Sequence, residues 1–127
     1  MVRKRYNKIA AMPLFLLAVI QSLLLCSGQI FLKFALQKMG CFAFTTSFFC
    51  HQLTNWWFLA CGLCYLAASV LWMYIVKNFP FSMAYPMVSL SYVFGMVAAM
   101  LVFHEAIPAT RWFGVALIIL GCLLVAR

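Results

Sequence analysis

Residues Phe81–Phe103 read FSMAYPMVSLSYVFGMVAAMLVF, 23 residues without a single charge. At 1.5 Å per residue a helix of that length reaches about 35 Å, enough to cross the ~30 Å hydrocarbon layer of a bilayer. Lipid offers the backbone no hydrogen-bond partners, so such a run must be helical. Three further stretches share this character: Leu14–Leu36, with Lys33 its only charge, Trp56–Val76 and Ile107–Ala126. The expected fold is all-α: a polytopic membrane protein, one domain over residues 1–127 with four transmembrane helices near 14–36, 56–76, 81–103 and 107–126. The first run is too long for a secretory signal and no small-residue cleavage site follows cleanly, so it reads as a retained helix. The connections are short except Gly40–Asn55. Its Phe42, Phe44, Phe48 and Phe49 suggest a segment lying in the membrane interface or extending a helix end.

Composition agrees. Of 127 residues 69% are hydrophobic and 8% charged, whereas soluble domains are about a quarter charged. A water-soluble fold, a disordered tail and a disulfide scaffold are all excluded. Nine Lys or Arg face one acid, Glu105, for a net charge of +8. The excess arises from a shortage of acids, so membrane lipid is the expected partner and nucleic acid is not. Arg3, Lys4, Arg5, Lys8, Lys77 and Arg127 fall on one side of the predicted helices. Lys38 and Arg111 fall on the other, close to Lys33. The positive-inside rule then puts both termini in the cytoplasm. Trp56, Trp57 and Trp112 belong to an outer aromatic belt and Trp72 lies toward the inner one.

Helical spacing gives three polar stripes: Ser22, Cys26, Gln29 and Lys33; Tyr65, Ser69 and Trp72; Ser82, Tyr85, Ser89 and Tyr92. In a membrane such groups turn to a bundle interior or a wet cavity. They line a polar groove, or they serve ordinary interhelical hydrogen bonding. Helical rise carries Lys33 and Glu105 to the same outer end as Arg111. Two cations there suit an anionic phosphate, with Glu105 orienting one of them. The alternatives are a snorkelling Lys33 and a Glu105 held in a structural ion pair or against the start of helix 4. Pro86 removes a backbone donor and frees the carbonyl of Ser82, marking a hinge or a plain kink. Gly114 and Gly121, seven apart, share one helix face that admits close packing within the chain or against a second one. Cys61 and Cys64 sit in an apolar helix and read as packing residues. Cys41 and Cys50 lie in the long connection, where a disulfide is conceivable. His104 reads as a helix-end residue, with no second ligand set for a metal. No nucleophile–base pair, phosphate loop or cofactor motif is present, so no catalytic residue, cofactor or enzyme activity is expected.

The run Ser82-Met-Ala-Tyr-Pro-Met-Val-Ser-Leu-Ser-Tyr-Val-Phe-Gly95, the turn Phe103-His-Glu-Ala-Ile-Pro108 and the helix Gly114-Val-Ala-Leu-Ile-Ile-Leu-Gly121 resemble the EamA-like repeat of the drug/metabolite transporter superfamily, in its four-helix branch. Gly28-Gln-Ile-Phe-Leu-Lys33 fits the same pattern. The resemblance covers residues 14–126. It is strongest to subunits that flip undecaprenyl-phosphate-linked aminoarabinose and more distant to small multidrug resistance exporters. Those exporters carry an intramembrane Glu three residues before the Gly matching Gly28; here that position is Leu25, so their proton-coupled cation exchange does not carry over. In them the Gly114/Gly121 heptad resembles a dimer seam.

The resemblance implies a bacterial inner-membrane transporter that moves a lipid-linked sugar phosphate, or a related amphipathic anion, between leaflets. Gln29, Lys33, Tyr85, Ser89 and Tyr92 would face the head group, and Lys33 and Arg111, with Glu105, the phosphate. Ten-helix relatives resemble two fused copies of this unit, which suggests a homo- or heterodimer. An exporter of cationic or lipophilic metabolites and a non-transporting partner subunit are the competing expectations.

Overall fold

The computed structural model describes residues 2–39 and 41–127, with side chains from Pro13 onward apart from residues 40 and 126. Six helices follow in order: α1 (Val2–Met39), α2 (Thr46–Thr54), α3 (Trp56–Asn78), α4 (Phe81–Met87), α5 (Leu90–Leu101) and α6 (Ala109–Ala126). The protein is an all-helical, multi-pass membrane protein. Pro13–Met39, Trp56–Asn78 and Phe81–Leu101 are each long and apolar enough to cross a bilayer, and Ala109–Val125 is a shorter apolar helix. The 18 residues of α6 give about 27 Å, slightly less than the hydrocarbon thickness. The side chains of Arg3, Lys4, Arg5 and Lys8, on which the orientation leans, lie outside the described residues.

α1 is the spine of the bundle, packing chiefly against α3 and then against α5. Its buried positions include Leu14, Gln21, Gly28 and Ala35, each seven residues from the next. Those of α3 are Cys61, Ala68 and Ile75, again seven apart. A seven-residue repeat keeps one stripe facing its partner when two helices cross at a shallow angle. The stripe is rich in small side chains, as close approach in a membrane requires. Gly28 is the tightest point: a Cβ there would stand 3.2 Å from Cε2 of Tyr65 and 3.5 Å from Cβ of Cys64. At the start of α3, Asn55 accepts from the Trp57 amide at 3.1 Å and donates to the Ala35 carbonyl at 3.4 Å. One side chain thus caps α3 and ties it to α1.

The run expected as one helix over 81–103 is two helices. Pro86 cannot donate, and the next turn tightens: Val88 and Ser89 donate to the carbonyls of Tyr85 and Pro86, three residues back, and so do Ser91 and Tyr92 to Val88 and Ser89. The Ser89 hydroxyl also donates to the Pro86 carbonyl at 2.5 Å, drawing that oxygen away from the regular ladder. Beyond the break, Ser89 Oγ lies 2.8 Å from Cys122 Sγ on α6. α6 packs more against α4 than against α5, and Val115 is its one buried core residue among those described.

The long connection forms a short helix of its own, α2, flanked by an aromatic cluster. Phe42 meets Phe44 and Phe48 edge-on, both at 5.0 Å between ring centres, and Phe48 meets Phe49. Phe44 is 85% exposed, which suits a segment lying against lipid head groups. All six cysteines are free, with Cys41 and Cys50 exposed, so the conceivable bond between these two is not formed.

Candidate functional site

Two adjoining cavities run along α1. The first, of about 790 Å³, opens beside the charged end of the bundle between α1 and α5, with Gln29, Lys33, Tyr92, Phe103 and Glu105 in its wall. Lys33 Nζ donates to Glu105 Oε1 at 2.5 Å, each side chain 43% exposed. The same ammonium stands 3.9 Å from the centre of the Phe103 ring, a cation–π contact that fixes its direction. The Glu105 carboxyl is held below its ordinary 4.5, first by the Lys33 hydrogen bond and next by the Lys33 charge; desolvation opposes this, and the Arg111 charge adds the smallest share. Arg111 and Glu105 together line a smaller recess of about 250 Å³, which shares Ser91, Tyr92 and Gly95 with the larger cavity.

The backbone explains why Glu105 is there. α5 ends at Leu101, and His104 takes the left-handed conformation, φ 51°. Such a φ is uncommon outside glycine, but His is among the residues that tolerate it. The chain reverses, and the Glu105 amide donates to the Ala99 carbonyl at 3.0 Å, occupying one of the carbonyls left over at the end of α5. The carboxylate is thereby returned to Lys33 on α1. His104 thus serves a turn, and no metal-binding group of His, Cys, Asp or Glu occurs among the described residues.

The second cavity, of about 510 Å³, lies farther along α1 between α3 and the α4–α5 break. Gln21, Tyr65, Trp72, Tyr85, Ser89 and Tyr92 stand in its wall. Trp72 meets Tyr85 at 6.2 Å in a T-shaped contact, and Tyr85 stacks on Phe81 at 5.1 Å. Leu25, Ser91 and Tyr92 belong to both cavities, so the two adjoin.

Lys33 and Glu105 meet directly, and Arg111 lies across the shared recess. Gln29 is in the charged cavity, Tyr85 and Ser89 in the aromatic one, and Tyr92 joins them. Ser89 spends its hydroxyl proton on the chain break. Pro86 lies in the aromatic wall, next to that break. Gly114 and Gly121 meet nothing: a Cβ added at either would find no atom within 4 Å. Among the described residues, that heptad therefore has no close contact. Sequence reasoning missed Gln21, which is 3% exposed with its carbonyl oxygen unpartnered. Its position seven residues before Gly28 was the available signal.

The family model described as the EamA-like transporter family matches residues 7–127. A protein of Aeromonas salmonicida (strain A449), named "Probable 4-amino-4-deoxy-L-arabinose-phosphoundecaprenol flippase subunit ArnE", is 36% identical over 112 residues, 86% of this chain and 93% of that one. A protein of the same name from Salmonella enteritidis PT4 (strain P125109) is 39% identical over 106 residues, 84% of this chain and 90% of that one. No solved structure matches.

Proposed function

From the premise that the chain belongs to the EamA-like transporter family, we propose that it moves a lipid-linked sugar phosphate of the undecaprenyl type between leaflets of the bacterial inner membrane, as one subunit of a two-chain carrier with its termini in the cytoplasm. The names of its relatives supply the substrate class and the word subunit. The observation that carries the reading is the Lys33–Glu105 pair at the mouth of the 790 Å³ cavity, with Arg111 beside it. Two cations and one carboxylate leave one net positive charge, which matches a phosphodiester. Glu105 holds Lys33 in place until the phosphate arrives, and Arg111 offers a planar fork to its oxygens. The groove is open along its side, so a polyprenyl tail stays in lipid while only the head group enters.

Leu25 supports the same choice. It lines both cavities where a cation exchanger would need an acid, and the chain's one acid stands at the charged end. A carrier without an intramembrane carboxylate has nowhere to exchange a proton for a cation.

The test uses right-side-out membrane vesicles from cells carrying the wild-type, Lys33→Ala or deleted gene, supplied with undecaprenyl phosphate bearing radiolabelled 4-amino-4-deoxy-L-arabinose. A membrane-impermeant amine reagent reports the labelled lipid that has reached the outer leaflet. Wild type should expose it at least tenfold faster than the deletion, with Lys33→Ala near the deletion. Equal rates in all three would overturn the proposal.

A further inference from the structure

The aromatic cavity differs in chemistry from the charged one. Among the described residues, no Lys, Arg, His, Asp or Glu stands in its wall. A phosphate or an ammonium group carried by a ligand would find no opposite charge in this wall, so recognition there rests on the uncharged parts of the ligand. What the wall offers is flat apolar surface from Trp72, Tyr65, Tyr85 and Tyr92, together with uncharged polar groups. Gln21 stands among them, 3% exposed, with its carbonyl oxygen bonded to nothing. A buried acceptor without a partner costs roughly 1–3 kcal/mol, and natural proteins leave few of them. Ser69 gives its proton to the Tyr65 carbonyl at 2.8 Å, so its oxygen too remains an acceptor. The volume of about 510 Å³ falls within the range of small-ligand pockets, about 300–1,000 Å³.

A ligand suited to this wall has apolar faces to lie on aromatic rings and hydroxyls on its edge to donate to amide and hydroxyl oxygens. A pyranose ring has both. We propose that the aromatic cavity is a sugar-ring station, in which Trp72 and Tyr85 receive the ring face and the Gln21 amide, rotating its enclosed oxygen toward the cavity, accepts from a ring hydroxyl. The inference rests on the lipid-linked sugar reading above and adds a second position to it. Gln21 and Lys33 are twelve residues apart on α1, or about 18 Å along its axis. One head group therefore does not engage both at once. The ring occupies the aromatic cavity while the head group is deep in the groove, and Lys33 holds the phosphate when it stands at the charged end.

The experiment is equilibrium binding to the protein in nanodiscs, with three radiolabelled lipids: undecaprenyl phosphate, its L-arabinose derivative without an amine, and its 4-amino-4-deoxy-L-arabinose derivative. Wild type should bind both glycosylated lipids more tightly than the bare phosphate. Gln21→Leu should weaken the two glycosylated lipids about tenfold and leave the bare one unchanged; Trp72→Phe, with a smaller ring face, should act in the same direction. Thermal midpoints confirm that the variants fold, and Gln21→Leu removes only a buried polar group. Equal weakening of all three lipids by Gln21→Leu, or of none, would overturn the proposal, as would an effect on the aminosugar lipid alone, because the amine and not the ring would then be read. Lys33→Gln should weaken all three. If it weakens none while the Gln21→Leu effect persists, the phosphate reading falls and the sugar station stands.

Discussion

Glu105 is the only acidic side chain of the protein, so any acid titration of a side-chain carboxylate belongs to it. Its folded-state value is lowered from 4.5 by Lys33 and Arg111. A lowered value means that the ion pair's stabilisation is fully present above 4.5 and is lost as the pH falls through the folded value. The thermal midpoint of the wild type in detergent should thus decline below pH 4.5, whereas Glu105→Gln should show no decline from this source. The two curves converge at acid pH; parallel curves would remove the pair from the stability balance. Gly28 makes a prediction of opposite kind. Gly28→Ala drives a methyl group to 3.2 Å from Tyr65 and should cost about 1–3 kcal/mol in denaturant unfolding. Gly62→Ala, where the added carbon meets nothing, should instead stabilise its helix by up to about 1 kcal/mol. The meeting of Lys33 with Glu105 was legible because helical rise alone brings both to one end. Gln21 was not, because the stripe through Ser22, Cys26, Gln29 and Lys33 drew attention to a neighbouring face. The seven-residue spacing of Gln21 and Gly28 is present in the sequence, but α3 laid against it is what distinguishes that face from its neighbour.

At the scale of elements, Pro86 announced a disturbance, but its form required the surroundings. Proline removes one donor; it does not dictate that the ladder tightens for a whole turn. That outcome depends on the Ser89 hydroxyl taking the Pro86 carbonyl, and on Cys122 approaching from α6. The break lies in the wall of the aromatic cavity, which carries a prediction. Pro86→Ala restores a donor for the Ser82 carbonyl and should merge α4 with α5, seen as stronger hydrogen-exchange protection at Ser89–Tyr92. Transport in the vesicle assay should slow about tenfold, because the cavity wall loses its joint. Faster exchange, or unchanged transport in a merged helix, would count against the hinge. α2 shows the opposite limit of sequence reading. The phenylalanines marked the connection as interfacial, yet a nine-residue helix is too short for periodicity alone to establish.

For the whole molecule, the long apolar runs foretold the class and the number of apolar segments, because lipid allows so few alternatives. The lengths were less legible: α1 reaches from Val2 to Met39, and α6 is shorter than the other spans. Gly114 and Gly121 lie on a face that no atom of the described residues covers within reach of a Cβ, which leaves room for a second chain. Gly114→Leu with Gly121→Leu should leave the unfolding free energy of the isolated chain no lower than wild type, and by helix propensity higher by up to about 1 kcal/mol per site. The same pair should lower association with a second chain, measured by cross-linking in native membranes. Loss of the isolated fold would instead place the heptad in internal packing.

The attachment of α6 has a mechanical consequence. Because α6 packs mainly against α4 and only lightly against α5, a push on it would act about the tightened turn at Val88–Ser89. A torque applied to its open face would be delivered to Tyr85, one turn from the pivot, while the α1–α3 seam stayed still as the frame. Work done at the rim of the protein would thus reach the wall of the aromatic cavity.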